Sequence, residues 1–336
     1  MFRVALCAVT AAMLSAPDAY ADTLDRIRDR GHVVCGINTG LAGFAEPDQE
    51  GDWKGFDIDY CRALAAAIFD DPGAVRFRPS SPQDRSTVLQ SGEVDVLARN
   101  TTWTLTRDAK WGDFVGVNYY DGQGFLVPKS LGVKSAKELD GARICIQTGT
   151  TTELNLADYF RANGMEFESV VVKSNDEVRA TYSAESCDSF TTDVSGLAAI
   201  RSTLDDPSAH IILPEIVSKE PLGPLVRHGD DQWADVARWV LNALIIAEEL
   251  GVTSENAGKL RKQDKRPAVR RLLGVEGAYG EQIGLSDDWA YNVIRHVGNY
   301  GEIFERHLGK ETPLGLKRGQ NALWKDGGLI YAPPMR

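Results

Sequence analysis

The sequence predicts an α/β protein of two lobes joined by a two-stranded hinge, with a helical C-terminal extension. Strand and helix patterns alternate from His32 to Ala98, break off, and restart at Ala142. After this second set an apolar run punctuated by Pro and Gly, Pro221 to Val226, leads into a long amphipathic helix. With 336 residues, 43% of them apolar, the chain has material for more than one core.

Taken in order, Thr23 to Arg30 reads as a short helix and His32 to Ile37 as a strand closed by Asn38-Thr39-Gly40. From Asp57, placed as a helix cap, the apolar residues Ile58, Cys61, Ala65 and Ile68 recur at helical spacing. Val75 to Arg78 is a strand, Gln83 to Gln90 a helix stopped by Gly92, and Val94 to Ala98 a strand. A further strand, Gly122 to Val127, ends at Pro128, and Ser135 with Glu138 forms a capping box expected to open a helix. The second set then runs strand 142–147, helix 150–163, strand 167–173, helix 175–184, strand 187–192 and strand 211–213.

Chain crossings near Gly124 to Pro128 and near Leu222 to Arg227 make the hinge. The first lobe is then 22–125 with 226–336, and the second 126–225. Helix Asp231 to Leu250 carries an apolar stripe at Trp233, Val236, Ala237, Val240, Leu244 and Ala247 and is expected to pack on the first lobe. Residues 252–336 read as mostly helical, with a solvated basic face from Lys259 to Arg271 and a Pro/Gly-rich end.

A net charge of −11 argues against nucleic acid and anionic membrane surfaces as partners, because both select clustered Lys and Arg. Residues 1–21 read as an export signal: Arg3, an apolar run from Val4 to Leu14 about half the ~20 residues of a membrane span, and a cleavage box at Ala19-Tyr20-Ala21. The expected destination lies outside the reducing cytosol. Without Cys7, which falls in that segment, Cys35, Cys61, Cys145 and Cys187 remain, an even number in an oxidising compartment. Of the three possible pairings, Cys35 with Cys61 and Cys145 with Cys187 keeps each bond inside one βα region.

Three polar strand ends stand out. Asn100-Thr101-Thr102-Trp103-Thr104-Leu105-Thr106-Arg107 follows a buried-looking strand with threonines that cannot build a core, and Arg107 suits a carboxylate. Gln147-Thr148-Gly149-Thr150-Thr151-Thr152-Glu153 places small residues, hydroxyls and a capping box at a helix start, where free amides bind anions. Asp193, after a third strand, supplies the opposite charge. A guanidinium and a carboxylate together match an amino-acid zwitterion. The histidines His32, His210, His228, His296 and His307 show no metal-ligand spacing, and no G-x-S-x-G elbow is present, so neither enzyme activity, metal nor cofactor is expected.

The export signal, Gly55-Phe56-Asp57-Ile58-Asp59, Thr102 to Arg107, Gln147 to Thr151 and Thr192-Asp193 occur in an order that resembles the periplasmic amino-acid-binding proteins of ABC transporters, solute-binding family 3. With Cys35 to Phe44, Asn118 to Gly124 and Pro214 to Pro224 added, the chain is similar over nearly its whole length to the general L-amino-acid-binding subgroup. The resemblance implies a type II periplasmic-binding-protein fold, the periplasm as destination, and a monomer that captures a free L-amino acid and delivers it to the membrane permease of an ABC importer. It assigns Asn100 a backbone carbonyl for the α-ammonium, Thr102 a hydroxyl, Arg107 the carboxylate, Thr150 and Thr151 helix-start donors, Asp193 the ammonium, and Phe56 a pocket wall. Without it, Arg107 reads as a surface residue paired with Asp108 or Asp113, and Phe56 as core. At Asn38 many relatives carry aspartate and at Leu41 an aromatic ring. A cationic side chain would lose an anion and a cation–π partner there, so a broad or polar-to-acidic preference is expected. The alternatives are a dehydratase-like enzyme on the same scaffold and the ligand-sensing subunit of a receptor.

Overall fold

A computed structural model describes residues 22–336. The expected export segment, with Cys7, lies outside them. Helix α1 (Thr23–Arg30) is capped by Asp22, whose side chain accepts from Leu24 N, and ends where Gly31 turns left-handed. Strand β1 (Val33–Asn38) leads through the short β2 (Glu46–Pro47) and β3 (Trp53–Lys54) to α2 (Phe56–Phe69). The cap of α2 is Gly55, not Asp57, which sits inside the first turn. Gly55 has φ +138°, and a Cβ there would lie 2.1 Å from the Phe44 carbonyl oxygen, so no larger residue fits this entry. Then come β4 (Val75–Ser80), α3 (Arg85–Gln90), β5 (Val96–Leu97), α4 (Leu105–Lys110) and β6 (Asp113–Phe114).

The chain crosses at β7 (Tyr119–Asp121) into β8 (Gln123–Pro128), β9 (Ala142–Gln147), α5 (Thr151–Ala162), β10 (Phe167–Val172), α6 (Asn175–Ser183), β11 (Ser189–Asp193), α7 (Val194–Ser202) and β12 (His210–Ile212). These strands make one sheet in the order β10-β9-β11-β8-β12. Its alternation is regular: Phe125, Val127, Ile144 and Ile146 join the core on one face, Leu126 and Cys145 the core on the other. The helix expected after Ser135 is only a 3₁₀ turn, Ala136–Glu138. Glu215 takes both the Ser135 hydroxyl and the Ala136 amide, and the chain must reach β9 within a few residues.

The return passes through β13 (Glu220–Leu222), which pairs antiparallel with β7, and β14 (Leu225–Val226), which enters the first sheet, ordered β4-β1-β5-β14-β6. The crossings thus lie at 119–121 and 220–222. The boundary expected at 125/126 falls inside β8, whose residues pair in the second sheet. Helix α8 (Asp231–Leu250) occupies its predicted bounds and packs against α1, α2 and β14. Helices α9 (Ala257–Gln263), α10 (Pro267–Leu272), α11 (Tyr279–Gln282), α12 (Trp289–Val297) and α13 (Tyr300–His307) complete this side. On the basic face Arg261, Arg266 and Arg270 pair with Asp288, Asp264 and Glu276.

Beyond His307 the chain is turns and 3₁₀ segments rather than the expected helix, and it braces the hinge. The buried Asn321 side chain accepts from Tyr120 N at 2.6 Å and donates to Tyr120 O at 3.0 Å. Among the described residues no helix is long and apolar enough to cross a membrane.

Both disulfides, Cys35–Cys61 and Cys145–Cys187, are present, one per sheet. The second closes the longer loop, 42 residues in sequence. Replacing Cys145 and Cys187 together by serine should cost on the order of 2–4 kcal/mol, mainly by freeing the unfolded chain. Denaturant unfolding checks this; a midpoint equal to that of the parent protein would contradict it.

Candidate functional site

The three polar strand ends meet in one cleft of about 40 Å³ between the sheets, lined by Asn38, Leu41, Asn100, Thr102, Arg107, Thr150, Thr151 and Asp193. Phe56 is elsewhere. It is 3% exposed and packs edge-on against Phe44, Tyr119 and Tyr300, with ring centroids 5.7–6.1 Å away. That is the core role, and it corrects the assignment of Phe56 to the pocket wall.

In the first sheet β4, β1 and β5 run parallel, so β1 and β5 deliver their carboxyl ends side by side, and Asn38 Nδ2 donates to Asn100 Oδ1 at 2.9 Å. Asn100 is left-handed, φ +38°. Asp57 holds it there, accepting from Asn100 N at 3.0 Å, with Asn118 Nδ2 on its other oxygen at 3.4 Å. Burial pushes the Asp57 carboxyl up to about 6, against these two hydrogen bonds and the nearby Arg99 charge. Thr104 caps α4 by accepting from Arg107 N, and Arg107 Nη1 donates to Thr102 O at 3.0 Å. Its guanidinium lies 4.9 Å over the Trp111 ring. Arg107 is therefore buried and held by its own loop, not paired with Asp108 or Asp113.

Across the cleft Thr150 occupies the N-cap of α5 without capping it. Its hydroxyl donates to Gln147 O at 2.7 Å, so the box predicted with Glu153 does not form. Among the described residues no side chain takes the first-turn amides, which leaves them for a ligand anion. Asp193 likewise stands at the N-cap of α7 and makes no cap hydrogen bond.

Pattern reading does not single out Arg85 or Arg99, yet both line the cleft, 3% and 4% exposed. Buried arginines look like surface ones in a sequence. The available signal is the polar run Ser80-Ser81-Pro82-Gln83 at the end of β4, a fourth strand end of the same kind. Among the described residues Arg85 Nε has no hydrogen-bond partner. Burial, then Arg99 and Arg107, push the Arg85 guanidinium well down, and burial with Arg107 brings Arg99 to about 10. Arginine does not give up its proton at physiological pH, so these directions report positive charge with too little compensation. Opposite it, Asp193 is pushed well up by burial and then by the neighbouring Asp121 and Glu220, against the pull of Arg107 and Arg85. The cleft has a cationic pole and an acidic one.

The lobes touch over this cleft. Asn175 Nδ2 donates to Gly40 O at 2.6 Å and to Asn38 Oδ1 at 3.2 Å, Gln83 Nε2 donates to Thr148 O at 3.0 Å, and the Thr102 and Thr151 hydroxyls lie 3.4 Å apart.

The sequence pattern of the bacterial extracellular solute-binding proteins, family 3, matches residues 33–257. The chain is 55% identical over 334 residues to the general L-amino acid-binding periplasmic protein AapJ of Rhizobium johnstonii, covering 98% of both. It is 54% identical over 329 residues to the glutamate/glutamine/aspartate/asparagine-binding protein BztA of Rhodobacter capsulatus, covering 98% of this chain and 97% of that one. A solved periplasmic binding protein from Brucella ovis with glutathione bound is 54% identical, with a TM-score of 0.92 over 94% of this chain and 100% of that one.

Proposed function

We propose, for a chain that belongs to the bacterial extracellular solute-binding proteins, family 3, that it captures free L-amino acids in the periplasm and delivers them, as a monomer, to the permease of an ABC importer. The observation that carries this is the bipolar cleft. Arg107 with the free amides of α5 takes the α-carboxylate, and Asp193 with the Asn100 carbonyl takes the α-ammonium. The excess of positive charge from Arg85 and Arg99, together with the neutral Asn38 and Leu41, favours acidic and amide side chains over cationic ones. The relative whose name joins glutamate, glutamine, aspartate and asparagine supports that class. Asn175, Gln83 and the Thr102–Thr151 pair hold the two sides together over the cleft, so release requires these contacts to part and the hinge at 119–121 and 220–222 to open.

A second reading concerns ligand size. The relative from Brucella ovis was solved with glutathione, whose γ-glutamyl end carries the same α-ammonium and α-carboxylate, so one clamp serves both. Calorimetric titration with the twenty amino acids and glutathione decides. We expect dissociation constants of micromolar or tighter, about 8 kcal/mol, for glutamate, aspartate or their amides, and mass spectrometry recovering the ligand unchanged. Heat with none of the twenty would refute the proposal, and heat with glutathione alone would favour the tripeptide.

A further inference from the structure

The hinge strand β13 reaches the ligand site through Glu220, and this rests on the amino-acid reading above. Glu220 is 1% exposed. Its Oε1 accepts from Asn155 Nδ2 at 2.7 Å and Ser218 Oγ at 2.6 Å, and its Oε2 accepts from Thr151 Oγ1 at 2.9 Å. The same strand and the residue after it are fastened to the other half of the site: Pro221 O accepts from Trp103 N at 2.7 Å, and Gly223 N donates to Thr101 O at 3.0 Å. Strand β13 therefore touches the Thr102 segment of one lobe and the start of α5 in the other.

Hydrogen accounting gives this contact a chemical consequence. A carboxylate can only accept, and a threonine hydroxyl has one hydrogen. Thr151 directs its hydrogen to Glu220. The Thr102 and Thr151 hydroxyl oxygens are 3.4 Å apart with either able to donate, so the hydrogen between them must come from Thr102. Thr102 is left with lone pairs for the cleft and no hydrogen. We propose that Glu220 is a positioning residue which, through Thr151, turns the Thr102 hydroxyl into an acceptor for the ligand's α-ammonium.

Replacing Glu220 by glutamine tests this, because an amide at that position can donate to Thr151. Thr151 would then donate to Thr102, whose hydrogen would point into the cleft. The readout is the dissociation constant of the tightest-binding amino acid against its deaminated counterpart, for L-glutamate glutarate. We expect Glu220→Gln to weaken the amino acid roughly ten- to a hundredfold, in line with one hydrogen bond to a charged group, while the deaminated acid changes little. The ratio between the two should narrow by the same factor. Thr151→Val, which removes the relay from its other end, should narrow it as well and serves if Glu220→Gln does not fold. An unchanged ratio, or equal weakening of both compounds, overturns the proposal alone. If the parent protein binds no amino acid, the functional reading falls and takes the proposal with it.

Discussion

Replacing Arg107 by alanine should weaken amino-acid binding by about 2–5 kcal/mol, the range for truncating one partner of a buried, hydrogen-bonded charge pair. That is roughly thirtyfold to several thousandfold in dissociation constant. The size follows from preorganisation. Arg107 is buried, donates to its own loop at Thr102 O, and stacks on Trp111, so little side-chain freedom is lost when a carboxylate arrives. Arg107→Lys should recover only part of the loss, because an ammonium cannot hold both oxygens in a fork or cover Trp111 in the same way. The comparison that isolates the role uses γ-aminobutyrate, which is glutamate without its α-carboxylate: Arg107→Ala should weaken glutamate far more. Calorimetry on both variants with both ligands checks this. Equal losses for the two ligands would mean that Arg107 supports the fold of the cleft and does not hold the carboxylate.

Much of the architecture is readable from local signals. Helices α1 and α8 occupy their predicted bounds because each begins at an aspartate cap, ends at a left-handed glycine and carries a continuous apolar stripe. The hinge is misplaced by a few residues for an identifiable reason. The true crossing strands are three residues each and carry Asp121 and Glu220 directly opposite one another, a like-charge pair that reads as loop. The neighbouring run Gly124 to Val127 is apolar and takes their place in the pattern, although it belongs to the second sheet.

The site shows the same division. The placement of Arg107, Thr151 and Asp193 around one cleft is legible because polar residues at a strand's carboxyl end have little structural use. What those polar groups bond to is not legible. Asp57, Ser135 and Thr150 are all expected to cap a helix; Ser135 does accept from Lys137 N, but the partners that tie the three side chains into the fold are Asn100, Glu215 and Gln147. Two of those three partners are more than forty residues away in sequence. Arg85 and Arg99 are the clearest case, since only tertiary packing makes them buried and mutually repelling.

Asp193→Asn should separate affinity from stability in opposite directions. In the free protein burial, Asp121 and Glu220 hold the Asp193 carboxyl well above the usual carboxylate range. A folded-state value above the unfolded one means that the folded protein binds the extra proton. This contribution is fully present below about pH 4, the unfolded value, and is lost as pH rises through the raised value. At neutral pH the ligand-free Asn variant should therefore be the more stable protein in thermal unfolding, and the difference should shrink on acidification. Binding reverses the preference. The α-ammonium favours the ionised carboxylate, so the parent protein should release a proton on binding below the raised value, and its affinity should climb with pH until that value is passed. Calorimetry in buffers of different ionisation heat reads the released proton directly. The Asn variant should bind more weakly, by the same 2–5 kcal/mol class of effect, with a flatter pH profile. Asp121, pushed up to about 6 mainly by burial, should leave a residual dependence near that pH. A variant as tight as the parent at every pH would show that the ammonium lies elsewhere in the cleft.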